Sequence, residues 1–206
     1  MHPKISIVLT TYNRPDALTA VLRAFSDQTF KYFEVLVADD GSALETTQAI
    51  RNLQRDLNYP LHHIWQADEG FRAAAIRNKA AAHAKGEYLV FLDGDCIPRP
   101  TFLANHRRLA ERNYFVAGNR VLLNRQFTHQ ALHLQLILQK WRNKDWFFAW
   151  LKKSCNKFLP FLSIPLGYFR KCKLKQWQGA ISSNLGVWKK DFFTANGFDE
   201  SYIGWG

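Results

Sequence analysis

The sequence predicts an α/β fold built on a mainly parallel sheet. Three observations carry the prediction. Short β-branched runs alternate with stretches of helical periodicity between residues 5 and 123, the pattern of repeated βα units. Three of those runs end in polar clusters, "TTYNR", "DDGS" and "DGD", and ligands of open parallel sheets bind beyond the carboxyl ends of the strands. No internal repeat or linker interrupts the 206 residues, a length that suits one domain with a sizeable core.

The elements follow in order. "ISIVLT" (5–10) is a buried strand: β-branched, apolar and too short for a helix. Pro15 suits the first turn of a helix, and Leu18, Val21, Leu22 and Phe25 recur at helical spacing. "FEVLVA" (33–38) is a second strand, ending at "DDGS". Leu44, Thr47, Ile50, Leu53 and Leu57 predict a second helical stripe, and "LHHIWQ" (61–66) a third strand. "AAAIRNKAAAHA" is Ala-rich and helical, and "EYLVFL" (87–92) is a fourth strand running into "DGD". Pro100 opens another helix, and "YFVAGNRVLL" (114–123) reads as a fifth strand. "KKDFFTAN" is a late helix, with Gly197 placed as its cap.

Charge is distributed unevenly. Lys140 to Lys175 holds ten Lys/Arg and one acid, so this stretch carries +9 of the net +11. A uniformly basic nucleic-acid binder would not look like this, and no nucleic-acid partner is expected. Three cysteines without metal or disulfide spacing point to a reducing compartment. The apolar run at Ile5 is too short for a signal peptide, and no run of about 18 apolar residues predicts a membrane span.

Asp93-Gly94-Asp95 follows an apolar strand directly, with Gly94 permitting a tight turn. Two acids without a basic neighbour repel, and so invite a hard divalent cation able to bridge carboxylates to a diphosphate. A plain acidic turn is the bland reading; the two other polar strand ends favour the cation. One of Asp39 and Asp40 is expected to hold an Asx turn, leaving the other to accept from a base N–H or a ribose hydroxyl. No G-x-G-x-x-G follows the first strand and no G-x-x-x-x-G-K-[ST] occurs, which argues against a dinucleotide fold and a P-loop.

"ISIVLTTYNRPDALTAVLRAF", "VLVADDGS", "GFRAAAIRNKAAAHAKGEYLVFLDGDC" and "NGFDESYIGWG", in this order, resemble a family 2 glycosyltransferase of the GT-A fold. The branch resembled has a galactosyltransferase-type C-terminal motif. The resemblance covers residues 4 to about 122 and 176 to 206. It implies sugar transfer from a nucleotide diphosphate, with inversion and with Mn²⁺ or Mg²⁺. It also implies that Thr11, Tyr12, Asn13 and Arg14 line the nucleotide pocket, with Asp39 on uracil or ribose and Asp40 beside it. Arg72 and Arg77 would lie near base and diphosphate, Arg77 having a plain helix-surface charge as its alternative. Asp93 and Asp95 would form the metal motif, Asp95 as the more direct ligand.

The resemblance divides the single domain into a nucleotide-sugar half (1–125), a basic aromatic helical insertion (126–175) and the start of an acceptor half (176–206). In "GAISSNLGVW" (179–188), Gly179 would allow close approach of a ligand, and Ser182, Ser183 and Asn184 would bond sugar hydroxyls, or simply form turns. Trp205 and Gly204 would face the acceptor, with core packing as the alternative for Trp205. In the family "GWG" is followed by a Glu-Asp pair that supplies the general base, so the base is expected after Gly206 and the acceptor motif is expected to be incomplete.

Nine aromatics interleave with the cations of 140–175, among them Trp141, Trp146, Phe147, Phe148 and Trp150. This predicts an interfacial patch on anionic lipid. Acidic-glycan binding, a nucleic-acid surface and a helical subdomain that buries its aromatics are the alternatives. The expected protein is cytoplasmic, peripheral at the inner face of the cytoplasmic membrane, and extends a saccharide or lipid-linked acceptor of a bacterial surface glycan. The rival expectation is a nucleotide-sugar binding module that does not catalyse; a dehydrogenase or nucleotidyltransferase is disfavoured by the missing glycine fingerprint.

Overall fold

The computed structural model describes residues 4–162 and 180–202; Trp205, Gly204 and Gly179 lie outside them. The described elements form one six-stranded sheet of order β3-β2-β1-β4-β6-β5. Strand β1 (Ile5–Thr11) pairs in parallel with β2 (Phe33–Asp39) on one side and β4 (Tyr88–Asp93) on the other. Strand β3 (Leu61–Trp65) continues the parallel half, while β6 (Asn184–Trp188) runs antiparallel to β4 and to the two-residue β5 (Val116–Ala117). The chain order reverses between β1 and β4, which opens a crevice at their carboxyl ends.

Alternation along β1 decides which helix covers which face. Ile5, Ile7 and Leu9 pack with α1 (Pro15–Ser26), α2 (Leu44–Leu53) and Leu103 of α4 (Phe102–Leu109). Val8 points the other way, into a cluster with Ile76, Ala80 and Ala81 of α3 (Ala73–His83) and Phe192 of α7 (Lys189–Thr194). The central strands are buried on both faces, hence their continuous apolar runs. Each fully buried Leu, Ile or Phe contributes about 1.5–3 kcal/mol.

Two expectations need correction. The helical stripe predicted from Leu44 is out of phase at its start: Leu44 is 63% exposed and Thr46 is buried, so the buried face is Thr46, Ile50 and Leu53. Of the strand expected over 114–123, only Val116–Ala117 pairs in the sheet. The later half of that run is drawn away, because Leu122 exchanges hydrogen bonds with Asn156 and Leu123 bridges Cys155.

Those contacts belong to a side lobe. It contains α5 (Arg125–His133), α6 (Asn143–Leu151) and single 3-10 turns at Leu138–Lys140 and Leu159–Phe161. Its own small core is Ala131, Leu138, Trp146, Ala149, Cys155 and Phe161. Trp146 and Phe161 stack 4.3 Å apart, so part of the aromatic content is packing. Among the described residues no helix is long and apolar enough to cross a membrane.

Candidate nucleotide and metal site

Register brings the polar strand ends together: Thr11 is opposite Asp39, and Thr10 is opposite Asp93. The loops beyond them are locked to one another. Asn13, in the left-handed region at φ 47°, receives its partners from the β2 loop: its backbone N–H donates to Ser42 Oγ and its side-chain oxygen accepts from Ala43 N. Gly41 sits at φ 91°, and a Cβ there would meet the Asp68 backbone at 2.5 Å, so only glycine fits.

Asp39 holds this turn. It is fully buried; one oxygen accepts from Ser42 N and the other lies 2.8 Å from His63 Nε2. It is thus the member of the acid pair that forms the Asx turn, and both its oxygens are already engaged within the chain. Asp40 is buried as well and accepts from Gln66 Nε2 and the Arg72 backbone N–H, which joins "DDGS" to "QADEGFR". Tyr12, half exposed, donates to Asp68 Oδ2 at 2.8 Å, a bond that raises its phenol above the ordinary value. Trp65 stands at the same rim, 47% exposed, its indole N–H donating to Ser42 O.

The cationic residues divide. Arg14 pairs with Asp16, and Arg72 with Glu69, both near the surface. Arg77 is pointed inward, donating to Thr10 Oγ1 and to Asp93 Oδ1, so it is not a helix-surface charge. Arg120 approaches the other oxygen of Asp93 at 3.3 Å. Asp93 therefore has two basic neighbours, contrary to the reading of the acid pair as unneutralised. Burial lifts its carboxyl above the usual range, Asp95 adds to this, and the two arginines oppose it. Burial likewise lowers Arg77, against the pull of Asp93.

Asp95 is exposed, and ligand atoms of Asp93, Asp95 and Cys96 all lie within 4.8 Å of one another. Two hard oxygens suit Mg²⁺ or Mn²⁺. Burial and the two acids push the Cys96 thiol up, so it stays protonated and donates to Asp95 Oδ1 rather than offering a soft thiolate. Gly94 has no left-handed torsion; it is required because a Cβ would meet Thr10 O at 2.8 Å, where its own N–H bonds that carbonyl.

A cavity of about 580 Å³ is lined in part by Asp95, His106, Ser183, Trp146 and Phe161. Among the described residues, His106 Nδ1 and Ser183 Oγ are buried without a hydrogen-bond partner. Asn184, expected at the acceptor, is engaged instead: its amide bridges His106 Nε2 and Asn119 O. His63, Gln66, Asp68 and Arg120 were missed by sequence reasoning. Gln66 and Asp68 sit in a polar run beside "GFR", which was a usable signal; His63 and Arg120 lie in apolar runs that reveal nothing of their partners.

An open α/β sheet that gathers two acids and an inward arginine at its switch point has the chemistry to hold a phosphorylated ligand. The chain belongs to glycosyl transferase family 2, whose pattern it matches over residues 6–171, and the fold is of the GT-A type. It is 28% identical to an Escherichia coli chondroitin synthase over 98% of this chain and 30% of that protein. It is also 28% identical to a Campylobacter jejuni GalNAc(5)-diNAcBac-PP-undecaprenol beta-1,3-glucosyltransferase, over 74% of this chain and 52% of that one. A Pyrobaculum calidifontis mannosyltransferase solved with GDP-Man and Mn²⁺ is 25% identical, covering 63% of this chain and 38% of its own, at a TM-score of 0.47. The chain thus spans about half or less of the length of these relatives.

Proposed function

We propose that this chain binds a UDP-sugar across the carboxyl ends of β1, β2 and β4 and transfers the sugar, with inversion, to a glycan or lipid-linked acceptor of a bacterial surface polysaccharide. The observation that carries the reading is the convergence of Thr10, Thr11, Asp93 and Asp95 at adjacent strand ends with Arg77 fixed between them. The uridine assignment follows the family resemblance. Tyr12, Trp65 and Asp68 form the rim suited to a base, with Asp39 and Asp40 holding the loops beneath it. The resemblance implies Arg14 in the nucleotide pocket and Arg72 near base and diphosphate, where each would exchange its present partner, Asp16 or Glu69.

Asp95, with Asp93, would hold a divalent cation, and when bound it would supply positive charge to stabilise the departing diphosphate. Arg77 and Arg120 favour the ionised form of Asp93 against the effect of its burial, and aim the carboxylate. In transfer the acceptor hydroxyl attacks the anomeric carbon on the face opposite the diphosphate, the bond to the diphosphate oxygen breaks, and a general base takes the hydroxyl proton. The resemblance assigns that base to the Glu-Asp pair expected after "GWG". The cavity that Asp95 helps to line suits the acceptor sugar, since it is about 580 Å³ in volume and adjoins the acid pair. The Campylobacter relative's undecaprenol-linked substrate supports a lipid-linked acceptor.

The test is calorimetry with UDP-, GDP- and TDP-sugars, with and without Mn²⁺, followed by a transfer assay on the same protein. Mn²⁺-dependent binding of a UDP-sugar is expected. No binding of any nucleotide sugar would refute the reading; binding without transfer would favour the binding-module alternative.

A further inference from the structure

We propose that the outer face of α6, with the turn at Leu159–Phe161, seats on an anionic lipid surface. The proposal deepens the reading of a lipid-linked acceptor and rests on it for its purpose. A helix on the surface of a globular lobe has one apolar face. The inner face of α6 is Trp146 and Ala149, already buried in the lobe core. Its outer face should be polar, yet it carries Phe147, Phe148, Trp150 and Leu151, exposed by 39, 58, 41 and 54%. Leu159 and Leu162 at the neighbouring turn are exposed by 71 and 37%.

These side chains are one patch and not scattered singles. The Phe147 ring lies 6.0 Å from Phe148, 6.0 Å from Trp150 and 5.3 Å from Phe158. Lys144, Lys152, Lys153 and Lys157 are exposed around it. From Lys140 to Leu162 the single acid is Asp145, and it is turned back to cap its own helix by accepting from Arg142 N. Asp27 reaches Lys140 from α1's end, but among the described residues no ion pair holds Lys144, Lys152, Lys153 or Lys157.

The combination selects the partner. Exposed Leu beside Phe and Trp needs hydrocarbon, while the lysine ring needs anions, and a bilayer with acidic headgroups supplies both at the right depths. A nucleic acid would leave the leucines in water, and the core of a protein interface is depleted of lysine. The lobe is also tied to the catalytic crevice. Arg99, four residues beyond Asp95, donates to Phe161 O at 2.9 Å and to Asn143 Oδ1 at 3.3 Å. The same cavity is lined by Asp95 and by Trp146 and Phe161 of the lobe. A seated lobe would hold the acceptor end of the crevice against the lipid surface.

The experiment is cosedimentation of the chain with vesicles of phosphatidylglycerol and phosphatidylcholine, or phosphatidylcholine alone, at low and high salt. Binding to the anionic vesicles at low salt is expected, weakening by roughly fivefold for each of Lys144→Ser, Lys152→Ser and Lys157→Ser. Phe148→Ser/Leu151→Ser should lose at least about tenfold, with melting temperature and UDP-sugar affinity unchanged. Quenching of tryptophan fluorescence by brominated lipid, read on the unaltered chain, tests the same contact without a variant. No binding to anionic vesicles at low salt, binding indifferent to Phe148 and Leu151, no quenching, or equal binding to a soluble oligonucleotide would each overturn the proposal. Nucleotide-sugar binding is measured without vesicles, so its failure is distinguishable from failure of docking.

Discussion

Arg77 reaches from the middle of α3 to the end of β4, where its Nη2 lies 3.2 Å from Asp93 Oδ1. Its Nε donates to Thr10 Oγ1 at 2.9 Å, so one guanidinium fastens the two strands that flank the crevice. A planar fork does this in a way that a point charge does not. Arg77→Ala leaves the half-buried Asp93 with Arg120 as its one basic partner among the described residues, and should cost about 1–3 kcal/mol of stability and at least about tenfold in nucleotide-sugar affinity. Arg77→Lys should recover part of the stability and little of the affinity. Thermal melts and calorimetry check both; an alanine variant with unchanged donor affinity would remove Arg77 from the site.

Asp95 is exposed and supports no strand, so its role separates from the fold. Asp95→Asn should change stability by no more than about 0.5 kcal/mol. It should abolish the Mn²⁺ dependence of donor binding, measured by titrating the metal at fixed UDP-sugar. Retained Mn²⁺ dependence would eliminate Asp95 as a ligand.

Gly94 tests close approach separately from charge. A methyl there would meet Thr10 O at 2.8 Å and Thr11 Cβ at 3.2 Å. Gly94→Ala should therefore cost about 1–3 kcal/mol and displace the acid pair, weakening metal-dependent donor binding while every charged side chain remains. Chemical denaturation and calorimetry on the same sample give the two readouts. Wild-type values in both would show that the turn relaxes freely.

His106 predicts a pH dependence. Burial pushes its imidazole down to about 4, against the opposing effect of the bond to Asn184. In the unfolded chain the value is about 6.5. Between those limits the unfolded chain binds a proton that the folded chain refuses. The folded state thus has its full advantage above about 6.5 and loses it as pH falls towards 4, by up to about 1.4 kcal/mol per unit. His106→Gln should flatten the stability curve in that window relative to the parent, as followed by denaturant melts from pH 7 to 4. Parallel curves for the two proteins would contradict the assignment.

The sequence by itself determined the succession of strands and helices, the parallel core and the three strand ends that meet at the crevice. These are written in local periodicity, and the strand-end rule needs only connectivity. "DGD" after "EYLVFL" was legible for the same reason. Tertiary structure alone decided how the charges pair. Arg120 joins Asp93 across 27 residues, and His63 meets Asp39 across 24, through register and loop closure that no local pattern encodes. It also decided that Asp39 holds a turn, that Asn184 is engaged by His106 and Asn119, and that the expected fifth strand ends after Ala117 because Leu122 and Leu123 find partners in the α6 lobe. Composition marked that lobe as basic and aromatic; only packing separated Trp146 and Phe161, which are core, from Phe148 and Leu151, which face outward. A side chain's type sets what it is able to bond, and the partner it meets is a property of the assembled fold.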